Sequence, residues 1–432
     1  MTVYAPDLLL DREGVRRAQA VEIERGRIVS VRPAASASAA IGLAGRALAP
    51  GFVNAHSHAF QRDVRGATER PDGAEDNFWS WREQMYVAAQ KLDPATIGDA
   101  ARRCYAQMRR AGYTSVGEFH YIHHHADGTE YDEPNLLAQA VCEAAESQGM
   151  RICLLLAAYE RGGAGLAPSQ WQRRFCDPDV RTFLARVDAL VSWAERRPLV
   201  TIGLAPHSVR AVSAQWLEAI AAFARERALP LHVHACEQRR EIDECVLEHG
   251  MRPIELLARV GVLGEKTTVI HATHADDHEI DLLAESGTTV CLCPTTEGNL
   301  GDGWPSTEKF VRAGIPIAIG SDSNVRLDPL EELREIEICA RRSAGRRNVV
   351  GAAAGLPTAA ALLRAGWDGG AGALGLAPPR IAAGSRADLI EIDLGNDALR
   401  GVADEDIAAA LVFCSDSSAV ARTWVLGTPY PK

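Results

Sequence analysis

His56 and His58 stand two residues apart at the end of an apolar run. On a strand, that spacing points both imidazoles to one side. Two ring nitrogens so placed suit a borderline metal such as zinc. Further along stand His232, His234 and Glu237, then His271 and His274, then Asp322. Three neutral imidazole nitrogens and one carboxylate suit Zn2+, Fe2+ or Mn2+, and the carboxylate can also touch a bound water. A divalent ion lowers the pKa of that water toward 7 and yields hydroxide. The chemistry expected of the set is addition of hydroxide to an sp2 carbon.

Such residues need a scaffold that gathers them. Short apolar runs recur at 51–55, 114–119, 152–157, 200–205, 229–234, 267–272, 288–293 and 316–321. Helical patterns such as 94–112 and 214–228 lie between them. Eight buried strands alternating with helices predict an α/β fold, a (β/α)8 TIM-like barrel over 51–375. An open doubly wound sheet is the alternative. The polar residues favour the barrel: the strand runs lead into His56 and His58, Glu118, His120 and Tyr121, His207 and Arg210, His234 and Glu237, His271 and His274, and Asp322. A barrel brings all these ends to one face, whereas an open sheet strings them along a row. Residues 1–50 and 376–432 alternate as short strands, including the runs RADLIEIDL, ALVFC and AVARTWVLG. They predict one small β-sandwich domain built from both termini.

The formal net charge of -11 argues against nucleic acid and anionic membrane as partners. Ten cysteines show no disulfide spacing, and Cys153, Cys291 and Cys293 lie in apolar runs. Buried free thiols and a reducing, cytoplasmic compartment are expected. No run approaches the roughly 18 apolar residues of a membrane span, and no signal peptide is expected.

His56-Ser57-His58, the segment His234-Ala235-Cys236-Glu237, the His271 strand end and Ser321-Asp322-Ser323 together resemble the amidohydrolase superfamily. The β-rich ends resemble that superfamily's small domain. The resemblance implies that His56, His58, His234 and Asp322 hold the metal. It implies that Glu237 shuttles the proton and that His271 polarises the attacking or leaving group. The H-x-x-E spacing selects His234 over His232, which is expected one layer deeper in the barrel. Many superfamily members bridge two metals with a modified lysine on the fourth strand. This chain has four lysines, Lys91, Lys266, Lys309 and Lys432, none inside a strand run, which implies one metal. Mononuclear members with H-x-x-E are chiefly deaminases.

Four loop motifs, NAHSHAFQR, AGYTSVGEFHYIHH, CPTTEGNLGDG and GSDSNVRLDPLEELR, resemble the formimidoylglutamate deiminases. That resemblance implies hydrolysis of N-formimino-L-glutamate to N-formyl-L-glutamate and ammonia. The two carboxylates of such a substrate call for arginine forks. Arg82, in the aromatic loop 77–86, and Arg210 are the candidates, with Gln61, Tyr121 and His207 as further substrate contacts. Another deaminase, acting on guanine, cytosine, adenosine or a triazine, is the alternative; a metal-free assembly protein is a more distant one. One zinc ion (or iron) and a homodimer complete the expectation. His123, His124 and His125 are read as a polar loop, because consecutive side chains diverge. Trp79 and Trp81 either cover the site or pack their loop on the barrel.

Overall fold

The computed structural model describes residues 1–37, 39–70 and 76–431; Lys432 lies outside them. Eight parallel strands form one sheet: β1 (Phe52–Ser57), β2 (Tyr113–His120), β3 (Arg151–Ala158), β4 (Val200–Pro206), β5 (Leu231–Ala235), β6 (Thr267–His271), β7 (Thr289–Leu292) and β8 (Ile317–Ile319). They pair in sequence order. Every residue of β1, β2 and β3 is buried, as expected of strands covered on both faces. Between them run helices such as Pro94–Ala111, which Asp93 and Thr96 cap reciprocally at the start and Gly112 ends in left-handed conformation.

The barrel closes just beyond β8. Ser57 and Asp322 form a parallel bridge. The backbone N–H of His58 donates to Asp322 O at 2.9 Å, and the N–H groups of Ser321 and Asp322 both donate to His56 O at 3.0 Å. A buried side-chain network braces this seam. Asn54 Nδ2 donates to Ser321 Oγ at 2.6 Å, Ser321 Oγ to Asn324 Oδ1 at 2.6 Å, and Asn324 Nδ2 to His58 O at 2.9 Å. Closure and the presentation of His56, His58 and Asp322 are therefore one structural event.

The remaining strands make a second, mixed sheet. Its N-terminal strands are Thr2–Asp11, Gly14–Arg17, Gln19–Glu24, Arg27–Pro33 and Ile41–Pro50, and its C-terminal ones Leu389–Asp393, Val420–Val425 and Thr428–Pro431. Ile41–Pro50 joins the two groups, running parallel to Thr2–Asp11 and antiparallel to Leu389–Asp393. Leu9, Val21, Ile28, Leu48, Leu389 and Trp424 give this sheet a core of its own.

Three segments differ from the sequence reading. ALVFC is not a strand but the end of a helix, Ile407–Cys414. A short apolar run fits either state; here Ile407, Leu411 and Val412 bury one helical face. The aromatic segment read as a loop is the helix Phe78–Ala89, started by a capping box in which Asn77 accepts from Trp79 N and Ser80 Oγ accepts from Asn77 N. Within CPTTEGNLGDG, Pro294–Leu300 is helical, with Pro294 in its first turn and Gly301 left-handed at its end.

Gly320 sits where the seam leaves no room for a side chain. A Cβ there would lie 2.8 Å from His56 Cβ and 2.9 Å from Cys293 Sγ. Gly320→Ala is expected to destabilise the fold by about 1–3 kcal/mol and to lower bound metal by displacing His56. Thermal unfolding and metal analysis check it; a variant matching the parent in both would show that the seam accommodates a methyl group.

Candidate active site

The C-terminal ends of the barrel strands carry the predicted residues to one place. β1 supplies His56 and, just after it, His58; β5 supplies His234; the turn after β8 supplies Asp322. One ligating atom from each of these four lies within 4.8 Å of all the others, and all four residues are buried. His56 Nε2 lies 3.2 Å from Asp322 Oδ1, and His58 Nε2 3.4 Å from the same oxygen. His234 Nε2 is 3.2 Å from His56 Nε2.

The far side of two rings fixes their protonation. His58 Nδ1 donates to Phe119 O at 2.9 Å, and His234 Nδ1 to His207 O at 3.0 Å. A carbonyl accepts only from N–H, so both rings present a bare Nε2 to the cluster. Burial also depresses all three imidazoles, His56 to about 3, so they are neutral at pH 7. Burial alone would raise the Asp322 carboxyl, but the hydrogen bond from His56 and the positive charge of His271 hold it well below its ordinary range. Bare nitrogens turned toward one another beside a carboxylate fit a divalent cation.

His271 ends β6 and Glu237 follows β5. His271 Nε2 lies 3.5 Å from Glu237 Oε1 and 3.7 Å from Asp322 Oδ2. Burial opposes charge on His271, but Glu237, Glu297 and Asp322 outweigh it and raise its pKa well above the usual value. Burial, followed by the charge of Asp322, raises the Glu237 carboxyl against the pull of His271. Cys236, His271 and Asp322 have φ of 56°, 70° and 44°, a left-handed conformation that costs non-glycine residues of order 1–3 kcal/mol each and gathers at functional sites.

A cavity opens beside the cluster. Gln61, Arg82, Tyr121, His207 and Arg210 all line it, with His58, His234, Glu237, His271 and Asp322. Gln61 Nε2 donates to Tyr121 Oη at 2.8 Å, while its buried Oε1 has no partner. The guanidinium of Arg82 lies 4.7 Å from the Trp79 ring centre and that of Arg210 5.3 Å. Arg161 donates to the backbone carbonyls of Val209 and Arg210 at 2.9 and 3.1 Å, bracing the turn that carries Arg210. Trp81 lines the cavity, so the aromatic helix forms one wall.

Other candidates lie elsewhere. His232 Nε2 donates to Ala373 O at 2.8 Å inside the barrel, away from the cluster. His123 and His124 donate to Ala157 O and Cys176 O, and His125 stacks on Tyr131, so the run diverges as expected. His120 is buried outside the cavity lining, and His274 is half-buried. Glu118 accepts from Ala59 N at 2.7 Å and holds the turn after His58; burial lifts its carboxyl to about 8. All ten cysteines are free. Sequence reasoning missed Tyr159, Glu241, Glu297 and Asp302. Tyr159 and Glu241 line the cavity, Glu297 touches His271, and Asp302 accepts from Gln238 beside Glu237. These four carry no spacing signature; only the closed barrel makes them neighbours. A second potential ligand group, His271, Cys293 and Glu297, is engaged internally: Glu297 Oε1 accepts from both His271 Nδ1 and Cys293 N.

His232 and His234 provide a paired test. His234→Gln is expected to lose the metal and His232→Gln to keep it, as read by metal analysis of the purified proteins. His232 is neutral when folded, with a pKa near 4, against about 6.5 when unfolded. The unfolded state therefore binds the extra proton between those values, and stability drops as pH falls through that window by up to about 1.4 kcal/mol per unit. His232→Gln is expected to flatten the decline in unfolding free energy below pH 6.5; an unchanged slope would refute this account of His232.

The amidohydrolase family profile matches residues 47–429. Formimidoylglutamate deiminase of Pseudomonas aeruginosa is 38% identical over 94% of this chain and 88% of its own length. An amidohydrolase from Brucella melitensis superposes with a TM-score of 0.92 at 33% identity, covering 100% of this chain and 95% of that one. An adenosine deaminase from Xanthomonas campestris, solved with bound zinc, superposes with a TM-score of 0.83 at 26% identity, covering 99% and 92%. The chain belongs to the amidohydrolase family.

Proposed function

We propose that this amidohydrolase hydrolyses N-formimino-L-glutamate to N-formyl-L-glutamate and ammonia with one divalent ion, zinc, held by His56, His58, His234 and Asp322. The observation that carries the substrate is the pair Arg82 and Arg210 on the cavity wall. Among the described residues, no acid forms an ion pair or hydrogen bond with the Arg210 guanidinium, and Arg82 has only Glu83 at 3.6 Å. One guanidinium without an acidic partner and a second held only by a 3.6 Å contact, in a protein of net charge -11, suit a dianionic substrate tail. Gln61, Tyr121 and His207 add neutral hydrogen-bonding groups beside them. The 38% identical Pseudomonas aeruginosa relative supports the same reading.

A divalent ion bound there lowers the pKa of a water toward neutrality. Glu237, its carboxyl raised by burial, carries both protons of the attacking water to the departing nitrogen, the first as the oxygen adds and the second from the added hydroxyl as the carbonyl forms. The water oxygen bonds to the formimino carbon, the bond from that carbon to its terminal nitrogen breaks, and ammonia leaves. His271, with Nε2 toward Glu237 and Asp322, hydrogen-bonds the oxygen as charge builds on it. Asp322 and the aromatic wall keep the reacting atoms oriented and away from bulk water.

Ammonia release by the zinc-loaded protein from N-formimino-L-glutamate, guanine, cytosine and adenosine tests the reading. Activity is expected on the formimino acid alone. Arg82→Met and Arg210→Met are each expected to cut kcat/KM about 10–100-fold, the loss of one charge-assisted contact. Turnover of a nucleobase, or arginine variants that match the parent, would overturn the substrate.

A further inference from the structure

The side of His271 turned away from the cavity rests on Glu297, a residue with no part in ligation or substrate contact. Glu297 is buried on the helix Pro294–Leu300, after β7. Its Oε1 lies 3.2 Å from His271 Nδ1 and 2.9 Å from the Cys293 N–H that donates to it. A carboxylate oxygen receives a hydrogen bond only from N–H, so Nδ1 of His271 carries a proton and donates it to Glu297. The opposite nitrogen, Nε2, is buried without a hydrogen-bond partner and faces Glu237 and Asp322. The same segment reaches Glu237. The N–H of Asp302 donates to Glu297 O at 3.0 Å, and the Asp302 carboxylate accepts from Gln238 Nε2, next to Glu237. One short helix and its closing turn thus hold the His271 ring and reach the residue that follows Glu237.

We propose that Glu297 is a positioning residue for the proton-transfer step, fixing the His271 ring through Nδ1 with Nε2 directed at Glu237 and the reacting oxygen. The proposal rests on the reading of His271 given above. Without Glu297 the ring is free to turn away, and the hydrogen bond to the reacting oxygen is lost. Ligand and arginine positions are untouched, so substrate binding is preserved and turnover is not.

The test compares the full-length zinc-loaded parent with Glu297→Ala and Glu297→Gln. Kinetics on N-formimino-L-glutamate, zinc content, thermal unfolding and crystal structures are the readouts. Alanine is expected to lower kcat about 100-fold with KM within about threefold, as supporting residues of metal sites do. Zinc stays at one per chain, and the His271 ring shifts in the crystal. Glutamine keeps an acceptor for Nδ1, so the ring stays in place and about tenfold of the loss is recovered. An alanine variant with parental kcat, or with the His271 ring unmoved, overturns the proposal. If alanine prevents folding, glutamine decides alone: a lowered kcat at parental KM and melting temperature supports the role, and a parental kcat overturns it. A parent inactive on this substrate would sink the substrate reading, while the His271 ring position would still judge Glu297.

Discussion

Three neutral imidazoles and one ionised carboxylate share a dry space at the mouth of the barrel, and much of the molecule exists to keep them there. Taking a carboxylate out of water costs several kcal/mol unless positive charge or hydrogen bonds replace the lost solvent. Here His58 and His234 turn lone pairs into the cluster, because both spend their N–H groups on backbone carbonyls. The arrangement is electrostatically incomplete without a cation. That incompleteness is the strongest physical statement the site makes about its chemistry.

The barrel seam carries the cost of holding it. Backbone bonds from His58, Ser321 and Asp322 stitch the first strand to the turn after the last, and Asn54, Ser321 and Asn324 lock the seam from within. Asp322 and Asn324 are left-handed there, and Gly320 has no space for a Cβ. A local conformation that is unfavourable by itself survives because closure over-determines it. Fold stability and ligand geometry are thus coupled through the same few residues.

Beyond the cluster the site is organised by charge sign. Carboxylates gather around His271, where Glu237, Glu297 and Asp322 all approach its ring nitrogens. Guanidiniums gather around Trp79, where Arg82, Arg210 and Arg240 all lie within 5.3 Å of its ring centre. An aromatic face steadies these cations; Glu83 and Glu244 pair with Arg82 and Arg240, while Arg210 has no acidic ion-pair partner among the described residues. The helix Phe78–Ala89 is the element that sets this wall, and its capping box fixes where the wall begins.

The sequence alone determined what depends on local pattern. Eight apolar runs, six of them leading into chemically capable residues, predicted the parallel strands, and H-x-H, H-x-x-E and the late aspartate picked out His56, His58, His234, Glu237 and Asp322 as candidates, of which the fold gathers the three histidines and the aspartate into one cluster. Period and spacing are written in the chain. Whether ALVFC is strand or helix, whether the aromatic segment is loop or helix, and which distant carboxylates meet His271 are not, because each depends on what packs against the segment. Glu297 illustrates the limit: it is 26 positions from His271 in the chain and 3.2 Å from its ring in the fold. Only the pairing of β6 with β7, which sets the ends of the two strands side by side, makes them partners.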